Sequence, residues 1–264
     1  MPRSLWTGAI SFGLVSVPVR MFAATSSQEL RFHFLDRRDH SPVGYDKVNR
    51  KTGKSVDADD VVRGFEVSKG RYVELTDEDV DRLDVELTRA IDICDFVSLE
   101  EIDPVFFRKA YYLLPQDGAE KPYRLLVRAL AETGRVAIAK VVIRNKQHLA
   151  CVRASHDALV LETMYYADEV RLPEEVPKPQ VRKAEVDMAK ALVENLAAEW
   201  KPERYHDRYR SALLDLLEKK AEGEPLPEPA AEEGGEVVDL MDALRQSVEA
   251  TKKRKAPARR RKAS

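Results

Sequence analysis

The chain has 264 residues, 44 % of them hydrophobic, enough to bury a sizeable core, and without any run of 18 apolar residues it holds no membrane-spanning helix. Its 44 Lys and Arg against 46 Asp and Glu leave a formal charge of -2, yet eight of those cations and no acid fall in residues 251–264, so the first 250 residues carry 36 cations against 46 acids, a net -10. A basic tail on an acidic body implies a polyanionic partner, or at least a tail with a role of its own.

Leu5–Ala23 opens the chain as one long, partly buried strand. Trp6, Ile10, Phe12 and Leu14 share one parity and Val15, Val17 and Val19 the other, which predicts a bulge or sharp bend between them. Gly8 and Gly13 let such a strand coil, and Pro18 suits an edge or bend, so a barrel or strongly curved sheet is the economical architecture. A secretory leader fits less well, because charge returns at Arg20 and the small-residue cleavage pattern is weak.

Leu30 to Leu35 alternates again. From Arg37 to Lys54 the chain is polar and turn-rich, with Pro42, Gly44 and Gly53, and seven cations fall between Arg31 and Lys54 against three aspartates. Apolar residues are too sparse there for a core, so the segment at about 31–60 reads as an excursion that returns at Val61-Val62. Thr76-Asp77-Glu78-Asp79 opens a short helix ending near Leu83, with acids in the first turn where they favour the free amides.

Strands are predicted at Ala90–Val97 and Arg108–Leu114, parted by the Asp103-Pro104 turn. A helix around Pro122–Leu130 stops near Gly134, and strands follow at Val136–Ile143, Leu149–Ala154 and Leu159–Tyr166, the first two joined by a basic turn. Cys94 and Cys151 lie in apolar stretches and read as buried thiols rather than a disulfide, the usage of a cytoplasmic protein.

The body thus runs over residues 1–172. Pro173, Pro177 and Pro179 mark its boundary. A helical region at 173–220 follows: one stripe holds Ala189, Leu192, Val193, Leu196 and Trp200, Lys201-Pro202 interrupts it, and a second holds Tyr205, Tyr209, Ala212, Leu213, Leu216 and Leu217. Residues 221–236 form an acidic flexible linker, 237–250 a short helix through Leu240, Leu244 and Val248, and 251–264 a disordered basic tail.

No Gly-rich nucleotide loop, nucleophile elbow or His-Glu-x-x-His signature occurs, and the five histidines share no ligand spacing with the cysteines. Neither an enzyme, a metal nor a cofactor is expected. The rival reading is a metal-dependent nuclease built on Glu100, Glu101 and Asp103. What the chain does offer is cations on loops: Arg31, Arg37, Arg38, Lys47, Arg50, Lys51 and Lys54, with Arg20, Arg144 and Lys146. The tail adds Lys252, Lys253, Arg254, Lys255, Arg259, Arg260, Arg261 and Lys262. A protein that tracks a duplex backbone needs such cations and no base-reading constellation. A solvated loop laced with Asp36, Asp39 and Asp46 fits the same spacing, and so does a structural DNA-associated hub whose tail is only an anchor.

Several separated motifs agree in order and spacing with one family. Trp6–Val19, Arg31-Phe32-His33, Glu100–Pro104, Tyr111-Tyr112-Leu113, Arg144-Asn145-Lys146, Glu185–Leu196 and Arg204–Tyr209 resemble segments of the bacterial Ku proteins of non-homologous end joining. The resemblance covers about residues 2–220. It implies a mixed β/α fold, a Ku-type β-barrel core with an extended DNA-encircling arm, followed by a small helical C-terminal region and a disordered tail.

The same resemblance implies a homodimer that rings double-stranded DNA ends, touches mainly the backbone, and recruits a multifunctional ATP-dependent DNA ligase through its C-terminal region. Such a protein is cytoplasmic and nucleoid-associated, with no membrane partner. Many relatives carry Cys-x-x-Cys-Gly where this chain has Asn49-Arg50-Lys51-Thr52-Gly53, so no metal or redox role of that pair carries over.

Overall fold

A computed structural model describes residues 3–82, 89–173, 175–223 and 240–255. The chain divides into two compact units, Met1–Leu172 and Pro173–Ser264.

The first unit opens with a hairpin, β1 (Trp6–Phe12) and β2 (Val15–Ala23), where one bent strand was expected. The change of parity is a chain reversal: Phe12 pairs with Val15 across a two-residue loop in which Gly13 has a φ of 57°. A positive φ at the first loop position followed by a negative one matches the twist of the flanking strands, and glycine adopts it without strain. Ile10 from one parity, and Val17, Val19 and Met21 from the other, all reach the core, whereas Leu14 at the loop tip is fully exposed.

The chain then leaves for a long excursion. The alternation at Leu30–Leu35 yields no strand, only a single bridge from Leu35 to Pro42. The excursion does not return at Val61-Val62 either: it continues through a hairpin of β3 (Arg63–Ser68) and β4 (Arg71–Leu75) and then α1 (Asp77–Asp81), capped by Thr76 in a reciprocal pair with Asp79. Among the described residues of 24–89 none is buried.

The chain rejoins the body at β5 (Ala90–Ser98), followed by β6 (Phe107–Pro115), α2 (Glu120–Thr133), β7 (Arg135–Ile143), β8 (Lys146–Ser155) and β9 (Ala158–Met164). Seven strands close into a barrel in the order β1-β2-β6-β9-β8-β7-β5, sealed by the parallel pairing of β5 with β1. Ile10, Val17, Met21, Ile91, Leu113, Val141, Val152, Leu159 and Leu161 fill it. Each such side chain withdrawn from water contributes about 1.5–3 kcal/mol.

The two ends of the barrel differ. At one, β6 ends and β9 begins, and α2 packs there chiefly against β8: Tyr123, Leu126, Val127 and Leu130 join the barrel core, and the Tyr123 hydroxyl donates to the Leu113 carbonyl at 2.7 Å while accepting from the Leu159 amide at 2.8 Å. Burial pushes that phenol above its usual range, with the Leu159 amide opposing. α2 stops at Gly134, whose φ of 64° makes the left-handed cap. The opposite end is where β6 and β8 begin and β2, β7 and β9 finish, and there the excursion departs and returns.

Cys94 departs from the expected buried thiol. The register of β5 on β7 shifts between Ile93 and Asp95, and Cys94, the extra residue of that bulge, is exposed, whereas Cys151 is fully buried.

In the second unit α3 (Lys183–Leu196) ends before Trp200, with Ala197 already out of the helical region. Then come α4 (Arg208–Glu222), which excludes Tyr205, and α5 (Leu240–Lys255). The last helix does not stop at residue 250 as expected. No Pro or Gly stands between Val248 and Pro257, so the first tail cations, Lys252 to Lys255, continue it. The acidic linker from residue 224 on, and Arg259, Arg260, Arg261 and Lys262, lie outside the described residues.

Candidate nucleic-acid interface

The excursion holds its shape through side-chain oxygens rather than a core. The Leu35–Pro42 bridge closes a loop in which the Asp36 carboxylate accepts from the Arg38 amide at 2.9 Å and from its guanidinium Nε and Nη2 at 3.0 and 2.6 Å. This fork holds the Asp36 carboxyl below the usual carboxylate range and raises Arg38. Asp39 accepts from the Ser41 amide at 3.0 Å and hydroxyl at 2.7 Å, which lowers its pKa in turn. Two of the three aspartates expected to lace this loop are therefore engaged in building it.

A second loop is closed by the Val48–Ser55 bridge. The Asn49 side-chain oxygen accepts from the Lys51 and Thr52 amides at 2.9 and 3.2 Å, and Gly53, at a φ of 67°, donates its amide to the Asn49 carbonyl at 2.8 Å. In the segment where relatives carry Cys-x-x-Cys-Gly, an asparagine amide holds the turn by Asx-type bonds. Arg50, Lys51 and Lys54 on this loop are exposed.

Arg31, Arg37, Lys47, Arg50, Lys51 and Lys54 make no ion pair with a described residue, whereas Arg38 is committed to Asp36. Arg20 stands on β2 with its nearest carboxylate, Asp117, at 3.9 Å. Arg144 and Lys146 sit at the β7–β8 turn, where Arg144 and Asn145 have φ of 50° and 61° in a tight two-residue loop. The excursion and the β7–β8 turn thus present separate groups of cations. Lys252, Lys253, Arg254 and Lys255 belong to α5, in the other unit.

Lys69 and Arg71 at the tip of the β3–β4 hairpin extend the basic excursion and were not singled out from sequence. The signal was present: Phe65-Glu66-Val67 and Tyr72-Val73-Glu74 alternate on either side of Lys69-Gly70. That hairpin turns one apolar face, Phe65, Val67, Val73 and Leu75, to the surface at 69, 51, 49 and 42 % exposure.

Two of the three carboxylates of the nuclease reading are caps. Glu101 accepts from the Ser98 amide at 2.8 Å and Asp103 from the Val105 amide at 2.9 Å, each starting a short 3-10 turn. No group of three His, Cys, Asp or Glu able to hold a metal ion occurs among the described residues.

The profile of the family described as Ku70/Ku80 beta-barrel domain matches residues 11–188, which take in the barrel from the end of β1 onward, the excursion and the start of α3. The chain belongs to the Ku family. A Ku relative from Desulfitobacterium hafniense, named non-homologous end joining protein Ku, is 44 % identical over 96 % of this chain and 90 % of its own length. The protein of the same name from Opitutus terrae is 45 % identical over 94 % of this chain and 92 % of its own. That of Symbiobacterium thermophilum is 44 % identical over 96 % of this chain, which spans 64 % of that protein's length.

Proposed function

We propose that the protein is a homodimeric clamp that encircles double-stranded DNA ends without sequence preference and brings an ATP-dependent DNA ligase to them in non-homologous end joining. The observation that carries this reading is the excursion over residues 24–89, which buries none of its described residues, is built from polar turns and a lone hairpin, and displays unpaired cations. A two-stranded hairpin with an exposed apolar face is marginal by itself, so it needs a second surface, and a second copy of this chain supplies it. Six cations free of ion pairs then face a polyanion, and a duplex backbone is the polyanion that requires charge and no base-reading side chain.

A closed clamp threads onto an end and is barred from an internal site, so end preference follows from topology without any chemistry at the terminus. The names of the relatives place them in end joining, which supports the same role here. The second unit displays apolar side chains suited to a protein partner: Val193, Leu196 and Tyr209 are exposed, and Trp200 and Tyr205 stack with centroids 5.1 Å apart. That surface is where the ligase docks. The protein acts in the cytoplasm on the nucleoid.

Binding to linear duplex and to a relaxed covalently closed circle of the same sequence, at one fixed salt concentration and without magnesium, tests the reading. Strong preference for the linear form, uncut DNA and a dimer in sedimentation are expected. Equal affinity for the two forms overturns the clamp.

A further inference from the structure

β5 runs on past the strand that seals the barrel. β1 pairs with it only where Ala9 to Ser11 lie against Ala90 to Asp92, and the β1–β2 hairpin then turns back at Gly13 while β5 continues beside β7 to Ser98. From Ile93 to Val97 one edge of β5 therefore has no strand beside it, and no backbone hydrogen bond from another described element reaches that edge. In an antiparallel ladder every second residue aims its N–H and C=O outward at such an edge. The bulge at Cys94 sets which side chains follow: it puts Phe96, not Asp95, opposite the buried Ala137, and Phe96 is 47 % exposed there.

α2 leaves that corner open. Its buried stripe of Tyr123, Leu126, Val127 and Leu130 packs chiefly against β8, and the neighbouring stripe of Pro122, Leu125 and Ala129 lies outside that contact, with Leu125 70 % exposed. Phe12 and Val15 at the end of the hairpin, Phe96 and this second stripe line a cavity of about 520 Å³. Arg135, opposite Ser98 at the end of the β5–β7 ladder, lines it too and leads, with Leu130, into a second cavity of about 270 Å³ lined by Arg153 and His156. No described carboxylate lines either cavity. Arg153 is held by Glu162, whereas Arg135 makes no ion pair with a described residue.

We propose that this corner takes an extended segment of a partner protein, added as a strand along the free edge of β5, with alternate apolar side chains in the groove and a carboxylate on Arg135. Three features converge on that one occupant. The unpaired edge offers main-chain partners to an extended chain, the apolar lining takes every second side chain because successive ones point to opposite faces, and the unpaired charge of the lining is a cation. A duplex fits none of this, since its phosphates need several cations and no apolar floor. The site is separate from the excursion and does not depend on the DNA-binding reading.

Panning a displayed library of random peptides on the full chain, with Leu125→Glu as counter-target, tests it. Enriched sequences should carry apolar residues at alternate positions followed by Asp or Glu. The strongest of them, made with a fluorescent label, should bind the wild type, lose about tenfold with Leu125→Glu and lose several-fold with Arg135→Gln. Lys140→Gln, an exposed change on β7 that touches neither cavity, should alter nothing. N-methylation of the alternate peptide amides that face β5 should abolish binding, and N-methylation of those between them should be tolerated. The variants should keep the wild type's affinity for linear duplex and its sedimentation. Circular dichroism checks the fold, and Ala129→Glu on the same exposed stripe replaces Leu125→Glu should the latter melt early.

No sequence enriched over the counter-target, or binding indifferent to both variants, overturns the groove. Tolerance of N-methylation at every amide overturns the added strand. Altered sedimentation of Leu125→Glu makes the face a contact between copies of this chain, and lost duplex affinity makes it part of the DNA interface; either overturns the proposal. A wild-type chain that binds circular and linear duplex equally sinks the clamp and leaves this site standing.

Discussion

The indole Nε1 of Trp6 donates to the carbonyl oxygen of Val142 at 3.0 Å. These residues belong to β1 and β7, which are not neighbours, because β5 lies between them in the barrel. β5 begins at Ala90, opposite Ala9, so Trp6 reaches past its start and straps the parallel seam that closes the barrel. The ring lies over Gly8, where a Cβ would overlap both the indole and the Arg89 carbonyl oxygen.

Trp6→Phe keeps most of the apolar contact and loses the strap, so it should destabilise the fold by about 1 kcal/mol. Gly8→Ala forces the indole or the Arg89 backbone to move and should cost about 1–3 kcal/mol. Urea unfolding of each variant measures both, and a neutral Gly8→Ala would show that the seam yields without strain.

Arg153 on β8 grips Glu162 on β9 with Nε and Nη2 at 2.9 and 3.0 Å, and the two side chains are only 30 and 17 % exposed. Glu162→Gln leaves a sheltered guanidinium half-satisfied and should cost about 1–3 kcal/mol, toward the lower value because part of Arg153 stays wet. The double change Arg153→Met with Glu162→Leu should cost less than the single one. A double-mutant cycle read by denaturation decides it.

The two thiols should separate sharply under alkylation. Cys151 is fully buried and its thiol is pushed up to about 12, first by burial and then by Glu162, so it should react only after unfolding, whereas exposed Cys94 reacts in the native state. The folded state keeps the Cys151 proton that the unfolded state releases above the ordinary thiol value near 9, so stability should fall as pH rises from 9 toward 12. Cys151→Ala should flatten that alkaline decline, as measured by thermal melting across the range.

Replacing Arg37, Arg50, Lys51 and Lys54 together by glutamine should weaken duplex binding and make its salt dependence shallower by up to about 3.6, at about 0.9 per contact, without loss of fold, because all four are exposed and unpaired. Arg38→Gln should act differently. It breaks the fork to Asp36 and loosens the loop, so amide exchange around residues 35–42 should quicken with a smaller change in slope.

Cutting the chain after Lys255 leaves α5 whole and removes Arg259, Arg260, Arg261 and Lys262. Such a protein should keep its preference for ends with lower affinity, since a tethered tail raises rebinding without creating topology. Cutting near Arg182 removes the second unit's helices and should abolish stimulation of the ligase even where duplex binding survives. Titration against linear and circular duplex, followed by end joining with the ligase, reads both truncations.

Periodicity and breakers sufficed for most of the barrel strands and for α2, because Ala90–Val97, Val136–Ile143 and Leu159–Tyr166 carry runs long enough to need burial and Gly134 permits the left-handed stop. The cations of the excursion were legible as charge without apolar cover, and the family was legible from separated motifs. Three things were not. The parity change at Leu14-Val15 looks the same for a bulge and for a hairpin, and only pairing Phe12 with Val15 decided between them. Phe65, Val67, Val73 and Leu75 alternate like core residues yet stand exposed, because alternation records that a face is apolar and not what covers it. Phe12, Phe96, Leu125 and Arg135 lie far apart in the chain and share no spacing; their meeting is a consequence of β1 turning back at Gly13 while β5 runs on beside β7. Local sequence thus determined which segments fold and which stay polar, while the tertiary structure decided which distant side chains face one another, since barrel register is set by long-range hydrogen bonds and packing that no local pattern encodes.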